Sequence, residues 1–275
     1  PRFVRDTWTN LNGEWAFSFD DQNEGERKRW YLGGKLSGKI VVPFAYQTQA
    51  SGIGDERRHD HLWYERRFTY QPKRGKRLLL CFEGADYAAK VWLNGKMLGK
   101  HVGGYSRFIL DASEAVRRGD NILVVKCDDS YAYTQPRGKQ RCVSCFYTDT
   151  SGLWKTVWME EVSDSSLAYV MASCEYEQQS ILFEYEIRGY REGLTLEIEA
   201  EFDGKRVAEI QTKLYSDSGK VRLELALRDH MLDMKPWSIG RPWQYFDLTY
   251  RLRCNGAVLD EVRSYTALVD YRTRG

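Results

Sequence analysis

Hydrophobic residues alternate with a period of two through almost the whole chain, and helical spacing is nearly absent. That pattern restricts the fold more than any other feature. A strand sends successive side chains to opposite faces, so alternation marks a surface with one side buried. In GEWAFSFD, Trp15, Phe17 and Phe19 alternate with small or polar partners. The segments KIVVPF, WYERRFTY, NILVVKCDD and KTVWMEEV read as further strands. RLLLCFEG is apolar without alternation and reads as a strand covered on both faces. In KVWLNGKMLGKHV, Asn94-Gly95 separates two apolar runs and predicts a hairpin, because a type I′ turn needs φ > 0 at both central residues. These segments predict about eight strands before residue 162. One short helix is expected at DASEAVRRG, where Asp111 and Glu114 have capping-box spacing and Gly119 can end the turn.

The polar run SDSS at 163–166 interrupts this series, and a second all-β region follows. Its expected strands are SLAYVMASCEY, ILFEYEIRG, TLEIEAEF, KRVAEIQTKLY, KVRLELAL and FDLTYRLRC, with a hairpin at Asp203-Gly204. Turn residues recurring about every ten residues suit a seven-stranded sandwich. The Cys…Trp…Cys spacing of true immunoglobulin domains is absent, so the likeness is one of architecture. The expected fold class is therefore all-β, as two antiparallel β-sandwiches over residues 1–162 and 163–275.

Composition narrows the function. The net charge is only +2, with bases and acids interleaved, which argues against a nucleic-acid partner. No apolar run approaches the roughly 20 residues that span a bilayer, so no membrane partner is expected. No targeting segment is visible, the chain begins at Pro1 and reads as a trimmed piece, and a cytoplasmic location is the expectation. Aromatic residues make up 14% of the chain, which suits strand packing and also sugar stacking. The six cysteines form no disulfide framework in a chain of 275 residues. Cys81 and Cys127 read as core residues, and Cys142-x-x-Cys145 lacks the second ligand pair of a zinc site, so neither metal nor cofactor is expected.

The sequence offers no nucleophile elbow and no phosphate-binding loop. Adjacent acids such as Asp128-Asp129 point to opposite faces of a strand and make no catalytic dyad. The residues themselves favour binding or support over catalysis. The stretch QPRGKQRCVSCFYTDTSGLW, from Gln135 to Trp154, is the candidate binding loop, and DERRHDH at 55–61 is expected to be a solvated loop.

Taken in order, NLNGEWAFSFD, IVVPF, WYERRF, FEGADYAAKVWLNGKMLGKHVGGYSRFILDAS and TSGLWKTVWMEEV resemble the amino-terminal domain of glycoside hydrolase family 2. This is the family of β-galactosidases, β-glucuronidases and β-mannosidases. Residues 163–271 resemble its immunoglobulin-like second domain, and VRSYTALVDYR resembles the exit toward a third. The resemblance implies a jelly-roll, galactose-binding-like domain followed by an immunoglobulin-like one. It also implies a missing carboxy-terminal (β/α)8 barrel that holds both catalytic glutamates. No catalytic residue is then expected here, and Asn23-Glu24 is a decoy for the family's Asn-Glu pair. The implied parent is a retaining enzyme acting on a carbohydrate substrate.

In several relatives a loop of the first domain reaches the barrel's mouth, with an acid five residues before the small-Gly pair. That position is Phe146 here. Substrate contact and docking against the barrel remain alternative roles for Arg137, Lys139, Gln140, Phe146, Tyr147 and His61. A free-standing carbohydrate-binding module and a tandem-sandwich interaction protein are the competing readings. A face normally covered by the barrel would also let the chain form a homo-oligomer.

Overall fold

The computed structural model describes residues 3–130, 149–175, 178–225 and 245–267. It is an all-β chain in two compact units. One runs from Trp8 to Glu161; the other combines the residues up to Thr7 with the chain from Val162 onward.

The first unit contains β1 (Trp8–Asn10), β2 (Gly13–Phe19), β3 (Gly38–Val42), β4 (His61–Tyr70), β5 (Lys76–Phe82), β6 (Ala88–Leu93), β7 (Lys96–Val102), β8 (Phe108–Asp111), β9 (Gly119–Asp128) and β10 (Val157–Ser163), the last of which runs on past the boundary. Antiparallel pairing gives a six-stranded sheet, β3-β2-β4-β9-β6-β7, and a four-stranded sheet, β1-β10-β5-β8. Trp15, Phe17, Leu62, Tyr64, Leu123 and Val125 from the first sheet meet Leu78, Leu80, Phe82 and Val157 from the second in one core. The Trp15 indole donates to the Leu11 carbonyl at 2.8 Å, so its burial leaves no unpaired donor.

Period two explains why β4 and β9 are apolar on neighbouring positions. Leu62 and Tyr64 enter the core, whereas Trp63 points to the other face, where it stacks on Trp92 at 5.5 Å and packs with Val124. Trp30, Tyr31 and Leu36 pack against this second cluster. The preceding turn is organised by Asp20, whose carboxylate accepts from the amides of Glu24 and Gly25, each at 2.8 Å, and from the Trp63 indole at 3.0 Å. Asn23-Glu24 thus lies in a structural turn: Asn23 accepts from Lys126, and Glu24 pairs with Arg27 and Lys28.

The hairpin at Asn94-Gly95 joins β6 to β7 with φ of 52° and 80°, as its sequence requires. The expected helix at 111–119 does not form. Asp111 accepts from the Ser113 amide, and the amides of Ala115 and Val116 both reach the Ala112 carbonyl, closing one turn. Side chains then capture the backbone a helix would need. Asn94 donates to the Ala115 carbonyl, and Asn121 binds both the amide and the carbonyl of Arg117. Glu114 pairs with Lys96. Two short strands escaped the sequence reading, β1 and β8.

The second unit contains β11 (Ser166–Glu175), β12 (Ser180–Arg188), β13 (Leu194–Phe202), β14 (Lys205–Lys213), β15 (Ser218–Glu224), β16 (Phe246–Cys254) and β17 (Ala257–Thr266). Sheets β11-β12-β15 and β14-β13-β16-β17 enclose Phe183, Leu196, Ile198, Phe246, Tyr250 and Leu252. Asp203-Gly204 makes the β13–β14 hairpin with φ of 49° and 71°. A second Asn-Gly pair, Asn255-Gly256, makes the β16–β17 hairpin. Residues 262–266 of the segment that resembled an exit to a further domain lie in β17, paired along β16, and its residues 268–272 fall outside the described residues.

Phe3–Thr7, which the sequence reading kept with the first domain, belongs to this unit. Val4 exchanges backbone hydrogen bonds with Arg263 at 2.9 Å. Arg5 is buried and makes a two-pronged contact with Asp260, at 2.8 and 2.9 Å, while also donating to the Leu167 carbonyl at 2.6 Å. A buried guanidinium needs that pairing, and it holds the segment in place.

Candidate substrate-facing rim

The described residues that flank the candidate loop converge at one end of the six-stranded sheet. Strand β9 ends at Asp128, and the chain is described again from Asp149. Between these points lie Arg137, Lys139, Gln140, Phe146 and Tyr147, together with Cys142 and Cys145, all outside the described residues. His61 is the sequence candidate that can be placed.

Asp129 is the centre of the rim. Its amide donates to the Asp60 carbonyl at 2.8 Å, and its carboxylate accepts from the Ser151 hydroxyl. Gln47 donates to that hydroxyl at 3.3 Å and accepts from the Ser151 amide at 3.4 Å. Arg58 donates to the Asp129 carbonyl and to Asp60, and lies 3.9 Å from Asp149. Burial pushes the Asp129 carboxyl up to about 6; the Ser151 bond and the Arg58 charge oppose this, while Asp149 and Asp60 add to it. A carboxyl perturbed this way is a common mark of function. Here Asp129 is only 8% exposed and has little surface to offer a substrate, so its role is to hold the rim together.

The small-Gly pair has a steric reason. Gly152 has φ +84°, and a Cβ there would fall inside the Tyr64 hydroxyl. That hydroxyl instead accepts from the Leu153 amide at 3.3 Å. Gly152 and Asp86 exchange backbone hydrogen bonds at 2.7 and 2.9 Å. Trp154 donates to the Gly104 carbonyl at 2.8 Å and meets the Tyr105 ring edge-on at 5.4 Å. Of the pair Gly103-Gly104, the first supplies φ of +121° and the second supplies space, since its Cβ would lie 2.5 Å from the Asp86 carboxylate.

The DERRHDH segment is a loop solvated only in part, at Glu56 and Arg57. His59 is buried and stacks on Phe19 at 3.7 Å, with its ring nitrogens 2.7 Å from Asp21 and 3.4 Å from Asp55. The Arg57 hydrogen bonds hold the Asp55 carboxyl well below its usual range. The Tyr46 hydroxyl accepts from the His59 amide at 3.1 Å, and burial pushes that phenol up to about 12. His61 lies 2.5 Å from Asp128, which also pairs with the buried Lys126 at 3.0 Å. Lys126 continues to Glu26 at 3.1 Å and lies 5.9 Å from the Trp63 ring. His61 is therefore hydrogen-bonded to one end of an ion-pair chain, Asp128–Lys126–Glu26. Sequence reasoning missed Gln47, Arg58, Asp129 and Ser151, because hydrogen bonds between residues 104 positions apart leave no local pattern. Among the described residues no cluster of His, Cys, Asp or Glu could hold a metal ion, and no helix is long and apolar enough to cross a membrane.

Comparison with known proteins places this architecture. The chain is 23% identical over 280 residues to a β-galactosidase of Thermoanaerobacter pseudethanolicus, covering 97% of this chain and 34% of that protein. It is 32% identical over 127 residues to a β-glucuronidase of Bacteroides fragilis, covering 43% of this chain and 16% of the relative. It thus spans about a third or less of these curated relatives. Among solved structures, a Ruminococcus gnavus β-glucuronidase shares the fold with a TM-score of 0.75 at 20% identity, over 97% of this chain and 45% of that one. A Bifidobacterium dentium β-glucuronidase does so with a TM-score of 0.72 at 19% identity, over 96% and 49%. Residues 8–157 match the sugar binding domain of glycosyl hydrolases family 2, and the chain belongs to that family.

Proposed function

We propose that the chain is the non-catalytic amino-terminal portion of a retaining glycoside hydrolase acting on β-linked glycosides. It supports a catalytic barrel and shapes the entrance to it. The observation that carries this reading is the family match over residues 8–157, joined to relatives that are glycosidases of which the chain spans only a part. A retaining enzyme needs a nucleophilic carboxylate and an acid/base carboxyl about 5–5.5 Å apart. Three acids of the rim are committed elsewhere: Asp129 to Ser151, Asp128 to His61 and Lys126, and Asp60 to Arg58. We assign neither catalytic role within this chain.

In this proposal Arg137, Lys139 and Gln140 meet either the sugar or the barrel, with Phe146 or Tyr147 as a stacking surface. Arg137 can hold a sugar carboxylate through its planar fork. The test assays the protein carrying the barrel, and the present chain alone, against a panel of aryl β-glycosides. The longer protein is expected to turn over at least one of them and the chain alone none. Turnover by the chain alone overturns the reading.

A further inference from the structure

Of the three Asn-Gly pairs in this chain, two close hairpins of the same kind. Asn94-Gly95 has φ of 52° and 80°, and Asn255-Gly256 has 49° and 79°. Each closes its strands with two residues, between Leu93 and Lys96 and between Cys254 and Ala257. An Asn-Gly pair is chemically the most exposed of asparagine contexts, because glycine leaves its amide nitrogen unhindered beside the asparagine carboxamide. Sequence alone makes the two pairs equivalent, and the structure separates them.

The Asn94 carboxamide is fully engaged. It donates to the Ala115 carbonyl at 2.9 Å and to Asn121 at 2.8 Å, and accepts from the Ile122 amide at 3.0 Å. Asn121 is itself completely buried. The space beside Gly95 is taken, since a Cβ there would lie 2.8 Å from a Leu32 methyl. Asn255 is exposed, and its side chain makes no hydrogen bond among the described residues. Beside Gly256 there is open space. The carboxamide of Asn255 is thus free to rotate and open to water.

We propose that Asn255 is a site of spontaneous deamidation and isomerisation, and that Asn94 is protected. The Gly256 amide nitrogen attacks Cγ of Asn255, forming a C–N bond and a five-membered succinimide. The Cγ–Nδ2 bond breaks, and Nδ2 leaves as ammonia with the proton from the Gly256 amide. Water then opens the ring at either carbonyl. One opening gives aspartate, and the other gives isoaspartate, whose main chain runs through the former side-chain carbon. The net reaction consumes one water, releases one ammonia, and needs no oxidant or reductant.

The two products differ in consequence. An Asp-Gly pair already closes the β13–β14 hairpin with φ of 49° and 71°, so aspartate at 255 keeps the turn. Isoaspartate adds a backbone atom, and a two-residue turn can no longer pair Cys254 with Ala257. The modification converts one end of the β16–β17 ladder into a longer, misaligned loop and leaves a new carboxylate beside Arg253, which donates to the Gly256 carbonyl at 3.2 Å.

The test incubates the purified chain in mildly alkaline buffer and follows the peptides holding Asn94 and Asn255 by mass. The peptide holding Asn255 is expected to gain one mass unit at least about tenfold faster than the one holding Asn94, because breaking several hydrogen bonds must precede reaction at Asn94. Isoaspartyl methyltransferase is expected to label the Asn255 peptide. In strong urea the two rates are expected to converge, which shows that the fold causes the difference. Asn255→Asp is expected to abolish ammonia release from that peptide. Equal rates in the folded chain, faster reaction at Asn94, or an unreactive Asn255 while the urea-unfolded chain reacts would each overturn the proposal.

Discussion

Replacing Asp129 by asparagine tests the electrostatics of the rim most directly. The side chain is buried, and its pKa is raised from 3.8 to about 6, chiefly by burial. The folded state therefore holds the Asp129 proton more tightly than the unfolded chain does. That preference contributes stability which is fully present below about pH 4 and is lost as pH rises through about 6. A shift of about two units corresponds to roughly 3 kcal/mol. Asn keeps a carbonyl to accept from Ser151 and carries no charge to bury. The variant's stability relative to the parent chain is thus expected to rise by up to about 3 kcal/mol between pH 4 and pH 8. The assay is urea unfolding at a series of pH values, read by tryptophan fluorescence, with buried Trp15 and Trp63 reporting on the first unit. The quantity tested is the change of the difference with pH, because other titrating groups are common to both proteins. A difference constant across this range, or one that shrinks as pH rises, would falsify the reasoning. The first would show that Ser151 and Arg58 balance burial, and the second that they outweigh it.

Other outcomes follow from contacts already described. Arg5→Ala leaves the buried Asp260 carboxylate without its counter-charge, holding only the Leu167 amide at 2.8 Å, and is expected to cost the second unit about 3 kcal/mol by chemical denaturation; a loss under about 1 kcal/mol would mean that water replaces the guanidinium. Gly152→Ala combines a left-handed backbone with a collision at Tyr64, and is expected to cost about 3 kcal/mol or more. Adding Tyr64→Phe should recover part of that loss, and no recovery would count against the steric account. In the protein carrying the barrel, Arg137→Ala should raise the Michaelis constant with stability unchanged if the residue meets substrate. A lowered melting temperature would instead mark docking against the barrel.

Much of the strand pattern was legible because its causes are local. The hairpin at Asn94-Gly95 and the one at Asp203-Gly204 follow from the positive φ their turns demand, and the same rule applied to Asn255-Gly256 would have revealed β17 as well. The family was legible for a related reason: its motifs lie in order along these strands. The false helix at 111–119 shows the limit. Its capping spacing was real, but Asn94 and Asn121 compete for the same backbone groups from other parts of the chain. His59 was misjudged because a charged neighbourhood in sequence says nothing of the Phe19 ring beneath it. The rim was least legible. Gln47, Arg58, Asp129 and Ser151 come together only when β4 and β9 lie side by side.

The two-sided burial of β4 and β9 has a consequence for how the sheet finds its pairing. In a strand with one wet face, a slip by a single position turns the apolar side chains to water and is opposed by the loss of that one buried face. Here such a slip would push the Trp63 indole into a core shaped for Leu62 and Tyr64, and would turn the Tyr64 ring toward Trp92. The same slip in β9 would instead bring Lys126 into the place of Val125 or Cys127. Odd and even positions are thus checked separately, against compartments of different size and polarity. The central pair of strands works as a parity check, rejecting the smallest alignment error available to a sheet.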